Sequence, residues 1–212
     1  IQECVDRSQH GLLNNATDYG LLAASPHSTE SKAKVYTSLF SRDIGVSAMG
    51  MLATGNADLV AVVERSLHYL AEAQSELGQF PFYSRPEEGK VQWWMPGSID
   101  STLWWCIAFL EHYRTQGDTP FYQEHHPHFE KAYTWLTYQD TNNDGLLEQG
   151  EASDWADEMP RFGAVLYTNS LWYWLLRLRV EVEGKTEYAE QQQRTKEAAN
   201  TMLWVHKRSD SN

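Results

Sequence analysis

The chain is short of cysteine, of positive charge and of long apolar stretches. Its two cysteines, Cys4 and Cys106, stand far apart, with no zinc-type spacing around either. They read as buried free thiols rather than a disulfide, which leans the compartment towards the cytosol. Lys and Arg total 17 against 29 Asp and Glu, a net charge of −12. Nucleic acid and anionic membrane surfaces both need a basic footprint, so both are excluded as partners, while a small neutral substrate is suited. No run approaches the ~20 apolar residues of a membrane-spanning helix. The opening Ile1-Gln2-Glu3-Cys4-Val5-Asp6 has neither an initiator Met nor the layout of a secretion signal, as expected of a processed or excised piece.

What is present is enough for one domain with its own core: 212 residues, 42% of them apolar. Nine Trp and eleven Tyr supply large helix-packing surfaces. The pattern predicts three helical hairpins. A small-residue helix starting at Ser41-Arg42-Asp43 is followed, after Gly55-Asn56, by an amphipathic helix over 58–77 that ends at Gly78. A strongly apolar helix over 101–113, capped by Ser98 or Asp100, is followed by a more polar one over 120–138. A third pair begins near Leu166 and returns over 187–205 after Gly184. An all-apolar helix is surrounded by protein, whereas an amphipathic one has a wet face. Their alternation predicts an all-α fold with an inner and an outer layer, and strand only in short pieces near Phe80-Pro81-Phe82-Tyr83.

The segment Glu151-Ala152-Ser153-Asp154-Trp155-Ala156-Asp157-Glu158-Met159-Pro160-Arg161 is chemically unusual. It sets four carboxylates and an arginine beside a tryptophan, just ahead of an aromatic-rich helix. Cleaving a glycosidic bond requires a carboxylic acid kept protonated near neutral pH, and a poorly solvated site flanked by other acids provides one.

Together with Ser41-Arg42-Asp43, Ile99-Asp100-Ser101-Thr102-Leu103-Trp104-Trp105, Asp144-Gly145-Leu146-Leu147 and Leu166-Tyr167-Thr168-Asn169-Ser170-Leu171-Trp172-Tyr173, this segment resembles the six-hairpin, or (α/α)6-barrel, glycosidases. These include trehalases, processing α-glucosidases, neutral invertases and the glucosidase part of glycogen-debranching enzymes. The matching pieces are collinear over about 36–177. The resemblance implies helical hairpins forming about half of an (α/α)6 toroid, and inverting hydrolysis of an α-linked glucoside or oligosaccharide. Asp157, four residues before Arg161, takes the general acid's place, with Asp154 as the alternative. Arg42, Asp43 and Asp100 match groups that hold sugar hydroxyls, with a structural ion pair the other reading of Arg42; Arg161, which binds substrate or ties down the acid loop, completes the substrate-binding set with Asn169 and the aromatic face of Trp155. Trp93-Trp94 is a weaker platform. The family's general base comes from the second half of the barrel, and no residue of this chain is assigned to it. A non-catalytic carbohydrate-binding half-barrel is the other reading, and exposed barrel flanks would make a homo-oligomer.

Two further clusters stand out. Asp140-Thr141-Asn142-Asn143-Asp144-Gly145 fits a calcium loop, with Asp140, Asn142, Asp144, the Leu146 carbonyl and Glu151 as oxygen ligands and a structural Ca2+ bracing the acid loop. The same residues also suit an Asx-turn-rich linker without metal. Glu124-His125-His126-Pro127-His128 brings three imidazoles close enough to catch a transition metal, but Pro127 breaks the spacing and the segment reads as a solvated surface turn. No organic cofactor is indicated.

Overall fold

Protein on both flanks of the apolar run after Ile99 turns it into a helix buried on almost every side. The computed structural model describes residues 2–27, 29, 36–93, 98–156 and 158–204. Among these the helices are α1 (Gln2–Asn14), α2 (Ser41–Ala53), α3 (Ala57–Glu72), α4 (Ile99–Gln116), α5 (Thr119–Thr137), α6 (Leu166–Glu183) and α7 (Thr186–Ala198). The pairs α2–α3, α4–α5 and α6–α7 are the three expected hairpins. α4 packs on α2 on one side and on α6 on the other, so these three form the inner layer. None of the described helices is long and apolar enough to cross a membrane.

Local chemistry sets the ends. Asn56 caps α3, its Oδ1 accepting from the amides of Asp58 and Leu59 at 2.9 and 3.5 Å. Asp118 caps α5 through the amide of Phe121. Ser98 precedes α4 without capping it, because its hydroxyl is turned to Asp100. Gly117 closes α4 at φ 65°.

Several boundaries differ from the sequence expectation. α3 stops at Glu72, and Leu77, placed on its apolar side, is 78% exposed. The cause is Gln74, whose amide donates to the carbonyls of Gly78 and His128, each at 2.9 Å, and so ties the chain down beside α5. At Gly78 (φ 109°) a Cβ would lie 2.2 Å from the Lys131 carbonyl, so only glycine allows that approach. α7 ends at Ala198 and passes into a π-helical turn, Ala199–Leu203. The His-rich segment is no turn: it lies inside α5, Pro127 included, and His125 is buried. Cys106 is buried as expected, whereas Cys4 is exposed on α1; both are free thiols.

Short strands stitch the helix entrances. β1 (Ala16–Thr17) pairs with β2 (Gly20–Leu21). β3 (Leu39–Phe40), β4 (Tyr83–Arg85) and β5 (Lys90–Gln92) make a three-stranded antiparallel sheet, with Phe40 opposite Tyr83 and Tyr83 opposite Gln92. β6 (Glu148–Gln149) pairs with β7 (Gly163–Ala164).

Aromatic stacking forms the core. Phe80 lies 4.1 Å from Trp105, which lies 5.3 Å from Phe109, and the Trp105 indole N–H donates to the Leu67 carbonyl. The small residues of α2 let it approach α4: a Cβ on Gly45 would sit 2.5 Å from the Cβ of Trp104. Between α5, α6 and α7 the buried Arg179 is met by Glu130, Glu183 and the Tyr188 hydroxyl.

Candidate functional site

Each inner helix carries a polar residue in its second position: Arg42 on α2, Asp100 on α4 and Tyr167 on α6. Their helices run side by side, so the three side chains meet at one mouth. Arg42 donates through Nε to Asp100 Oδ2 at 2.7 Å and through Nη2 to Oδ1 at 3.3 Å. The Tyr167 hydroxyl donates to Asp100 Oδ2 at 3.2 Å and accepts from the Trp104 indole N–H at 2.9 Å. The Ser98 hydroxyl donates to Asp100 Oδ1 at 3.0 Å.

Asp100 is 0% exposed. Burial pushes its carboxyl above the usual range, while Arg42, Ser98 and Tyr167 pull it back. With no free surface, it reaches a ligand only through Arg42 and Tyr167, which it orients, rather than gripping a hydroxyl itself. Burial also raises the Tyr167 phenol, with the neighbouring Asp100 charge adding to the effect, so Tyr167 stays a neutral donor and acceptor.

Arg42 and Asp43 face a cleft of ≈ 310 Å³, lined also by Ala23, Ala24, Tyr36, Phe40 and Phe82. Asp43 is exposed, yet the surrounding wall desolvates its carboxyl enough to raise its pKa against the opposing pull of Arg42. The Arg42 guanidinium also lies 5.6 Å from the Phe82 ring centroid.

The acid loop is fastened to the start of α4, the Ile99 amide donating to the Ser153 carbonyl at 2.9 Å. Asp154 is 1% exposed, and its acceptor positions are engaged. Oδ1 accepts from the Ala156 amide at 2.9 Å and from Arg161 Nη2 at 2.5 Å, and Oδ2 from Gln149 Nε2 at 3.0 Å. Burial pushes the Asp154 pKa up, but these donors outweigh it and the net shift is downward. Asp154 is therefore an ionised anchor, unsuited to donating a proton at neutral pH. Arg161 is the other half of that anchor and lies 5.5 Å from the Trp155 ring centroid. Trp155 itself is 53% exposed and meets Tyr167 edge-on at 6.4 Å, which leaves an open aromatic face beside the Arg42–Asp100–Tyr167 cluster. Asp157 lies outside the described residues, as do Trp94, Pro96 and Gly97.

Asn169 is committed to the scaffold. Its Nδ2 donates to the carbonyls of Leu147 and Val165, and its Oδ1 accepts from the Leu147 amide at 2.7 Å. It fixes the 140–151 loop to α6. In that loop, carboxylate oxygens of Asp140, Asp144 and Glu148 lie within 4.8 Å of one another. Glu148 thus stands where Glu151 was expected, and Glu151 is exposed. The Asp140 carboxylate accepts from the amides of Asp144 and Gly145, and Asn142 and Asp144 bond each other. Leu146 is buried, and its amide donates to Asp144 Oδ1. Arg194 of α7 bonds Asn143 and lies 3.8 Å from Asp140, offsetting part of the loop's charge.

Tyr167, Ser98 and Gln149 are the site residues that the sequence did not single out. Tyr167 was hidden among the aromatics of α6; its signal was position, one place after the helix start as in Arg42 and Asp100.

No protein-family profile and no curated protein matches the chain. Solved structures do. A GH76 α-mannanase, BT2949 of Bacteroides thetaiotaomicron, superposes with a TM-score of 0.67 at 12% identity, over 97% of this chain and 56% of that one. The Lin0763 protein of Listeria innocua superposes with a TM-score of 0.59 at 13% identity, over 97% of this chain and 54% of that one. The chain spans little more than half the length of either structure. The likeness shows the fold: all-α, with helical hairpins forming about half of an (α/α)6 toroid.

Proposed function

We propose that the chain carries the acid half of a glycoside hydrolase site acting on an α-linked oligosaccharide. One observation carries this reading. The second residues of three successive inner helices, Arg42, Asp100 and Tyr167, converge on one hydrogen-bonded cluster beside the exposed indole of Trp155. Donors held rigidly at the mouth of a helical bowl, next to an aromatic face, are what a sugar ring with its equatorial hydroxyls and apolar C–H faces binds. Asp157 is proposed as the proton donor. The neighbouring Asp154 is occupied by Arg161, which leaves the loop's other Asp for that role. Arg42 and Asp43 would hold hydroxyls directly, and Asp100 would act through Arg42.

Inversion requires a second carboxylate roughly 6.5–9.5 Å from the acid, with water between them. That base is proposed to come from protein beyond these three hairpins. α-Glucosides are the substrates implied by the sequence resemblance; α-mannosides join them because a structural neighbour is an α-mannanase. Calcium at Asp140, Asp144 and Glu148 is proposed as a brace for the loop, with no part in the chemistry.

The test is hydrolysis of a panel of α-glucosides and α-mannosides by the full-length protein, with Asp157→Asn as control. A second reading, a self-associating sugar-binding module, draws on the exposed Met159, Phe162 and Leu166 beside the acid loop. It predicts saturable sugar binding without hydrolysis.

A further inference from the structure

The outer helices α3 and α5 bring three metal-ligating side chains to one point, away from the mouth of the inner helices. His68 comes from α3, and Glu124 and His125 from α5. His68 Nδ1 lies 3.6 Å from Glu124 Oε1, and His125 Nε2 lies 3.8 Å from the same oxygen. One ligand atom from each of the three lies within 4.8 Å of the others. These gaps are too long for hydrogen bonds. They approach the spacing of about 3.4 Å between neighbouring ligands around a tetrahedral ion with metal–ligand bonds of about 2.1 Å.

His125 supplies an independent observation. It is 3% exposed, and neither of its ring nitrogens has a hydrogen-bond partner. A buried imidazole left this way loses its solvation with nothing in return, which native interiors rarely tolerate. A metal ion on Nε2 would give one of the two nitrogens a partner. We infer that His68, Glu124 and His125 form a binding site for a divalent transition metal of the zinc type, clamping the outer helices of the first two hairpins together.

The surroundings agree in detail. On the far side of His68, Nε2 faces Glu72 Oε1 at 3.6 Å, where a carboxylate commonly orients a ligating imidazole. Two imidazoles and one carboxylate suit zinc better than the hard cations calcium and magnesium. His68 and Glu124 are open to solvent, which provides an entry path and a fourth position for water. Other clusters fit less well. His112 already hydrogen-bonds Glu64 at 2.9 Å, and Arg179 is paired with both Glu130 and Glu183 beside His126.

The experiment is calorimetric titration of the EDTA-stripped full chain with ZnCl2, repeated with CaCl2 and MgCl2, with Tm measured alongside. One zinc ion per chain and a raised Tm are expected, and any effect of calcium or magnesium should be the same in His68→Ala as in the wild type. His125→Ala empties a buried position, so the deciding variants are His68→Ala and Glu124→Gln, both at solvent-open positions. Each should keep the metal-free Tm of the wild type and weaken zinc binding by about ten-fold or more, while His126→Ala binds normally. No zinc uptake by the wild type, or equal uptake by His68→Ala and Glu124→Gln, overturns the proposal.

Discussion

Arg42 and Asp100, 58 residues apart, are joined by two roughly parallel hydrogen bonds from the second residue of one inner helix to the second residue of the next. The pair is asymmetric. Arg42 keeps an 18% exposed side chain towards the cleft, while Asp100 is sealed beneath it. Removing Arg42 leaves a buried carboxylate with only two hydroxyl donors. Arg42→Ala is predicted to cost about 3–5 kcal/mol of stability, measured by urea unfolding. Asp100→Asn removes the charge together with its demand for a partner and should cost less than Arg42→Ala.

The close approach of α2 to α4 rests on the absence of a side chain at Gly45. Gly45→Val places atoms where Trp104 already sits. It is predicted to lower stability by about 1–3 kcal/mol or more, seen as a fall in the urea midpoint with an unchanged slope.

His125 sets an acid limit on stability in metal-free buffer. Its unfolded pKa is about 6.5, and its folded pKa is about 4. Between these values the unfolded chain holds a proton that the folded chain does not. The His125 contribution to stability is therefore complete above pH 6.5 and is lost as the pH drops towards 4. Urea titrations with EDTA across that window should show a shallower slope in a folded His125→Gln variant than in the wild type, the remainder coming from groups such as His128, whose pKa burial also lowers.

These predictions rest on features of unequal visibility in the sequence. The apolar runs of α2, α4 and α6 and the Gly stops at Gly117 and Gly184 announced the inner layer directly, because nothing but burial explains such runs. The Arg42–Asp100 neighbourhood was legible as two motifs, and an ion pair was open to Arg42, but its partner was not legible, since which helices touch is a tertiary fact. The place of Tyr167 was not legible: among so many aromatics a phenol that bonds Asp100 looks like core. His68 and His125 lie on different hairpins, and no local spacing links them. The end of α3 was missed because the amide of Gln74 and the backbone contact at Gly78 overrode an apolar periodicity that continued to Leu77.

Trp155 is the exposed platform of the proposed sugar site, and its side chain contributes little to the core. Trp155→Ala is predicted to weaken sugar binding by about 1 kcal/mol or more, roughly five-fold or greater in Kd, with little change in Tm. Calorimetry with the best oligosaccharide of the panel checks both halves of that statement.

The two aspartates of the acid loop give the most direct measurement. The turnover of the full-length protein should be compared with that of Asp157→Asn and Asp154→Asn on an α-linked oligosaccharide, with Tm recorded for each. The account predicts that Asp157→Asn loses about 100-fold or more in kcat at unchanged Tm, as for removal of a general acid, whereas Asp154→Asn lowers Tm by breaking the buried Arg161 anchor. Full activity in Asp157→Asn, or no hydrolysis of any α-glucoside or α-mannoside by the wild type, would contradict it.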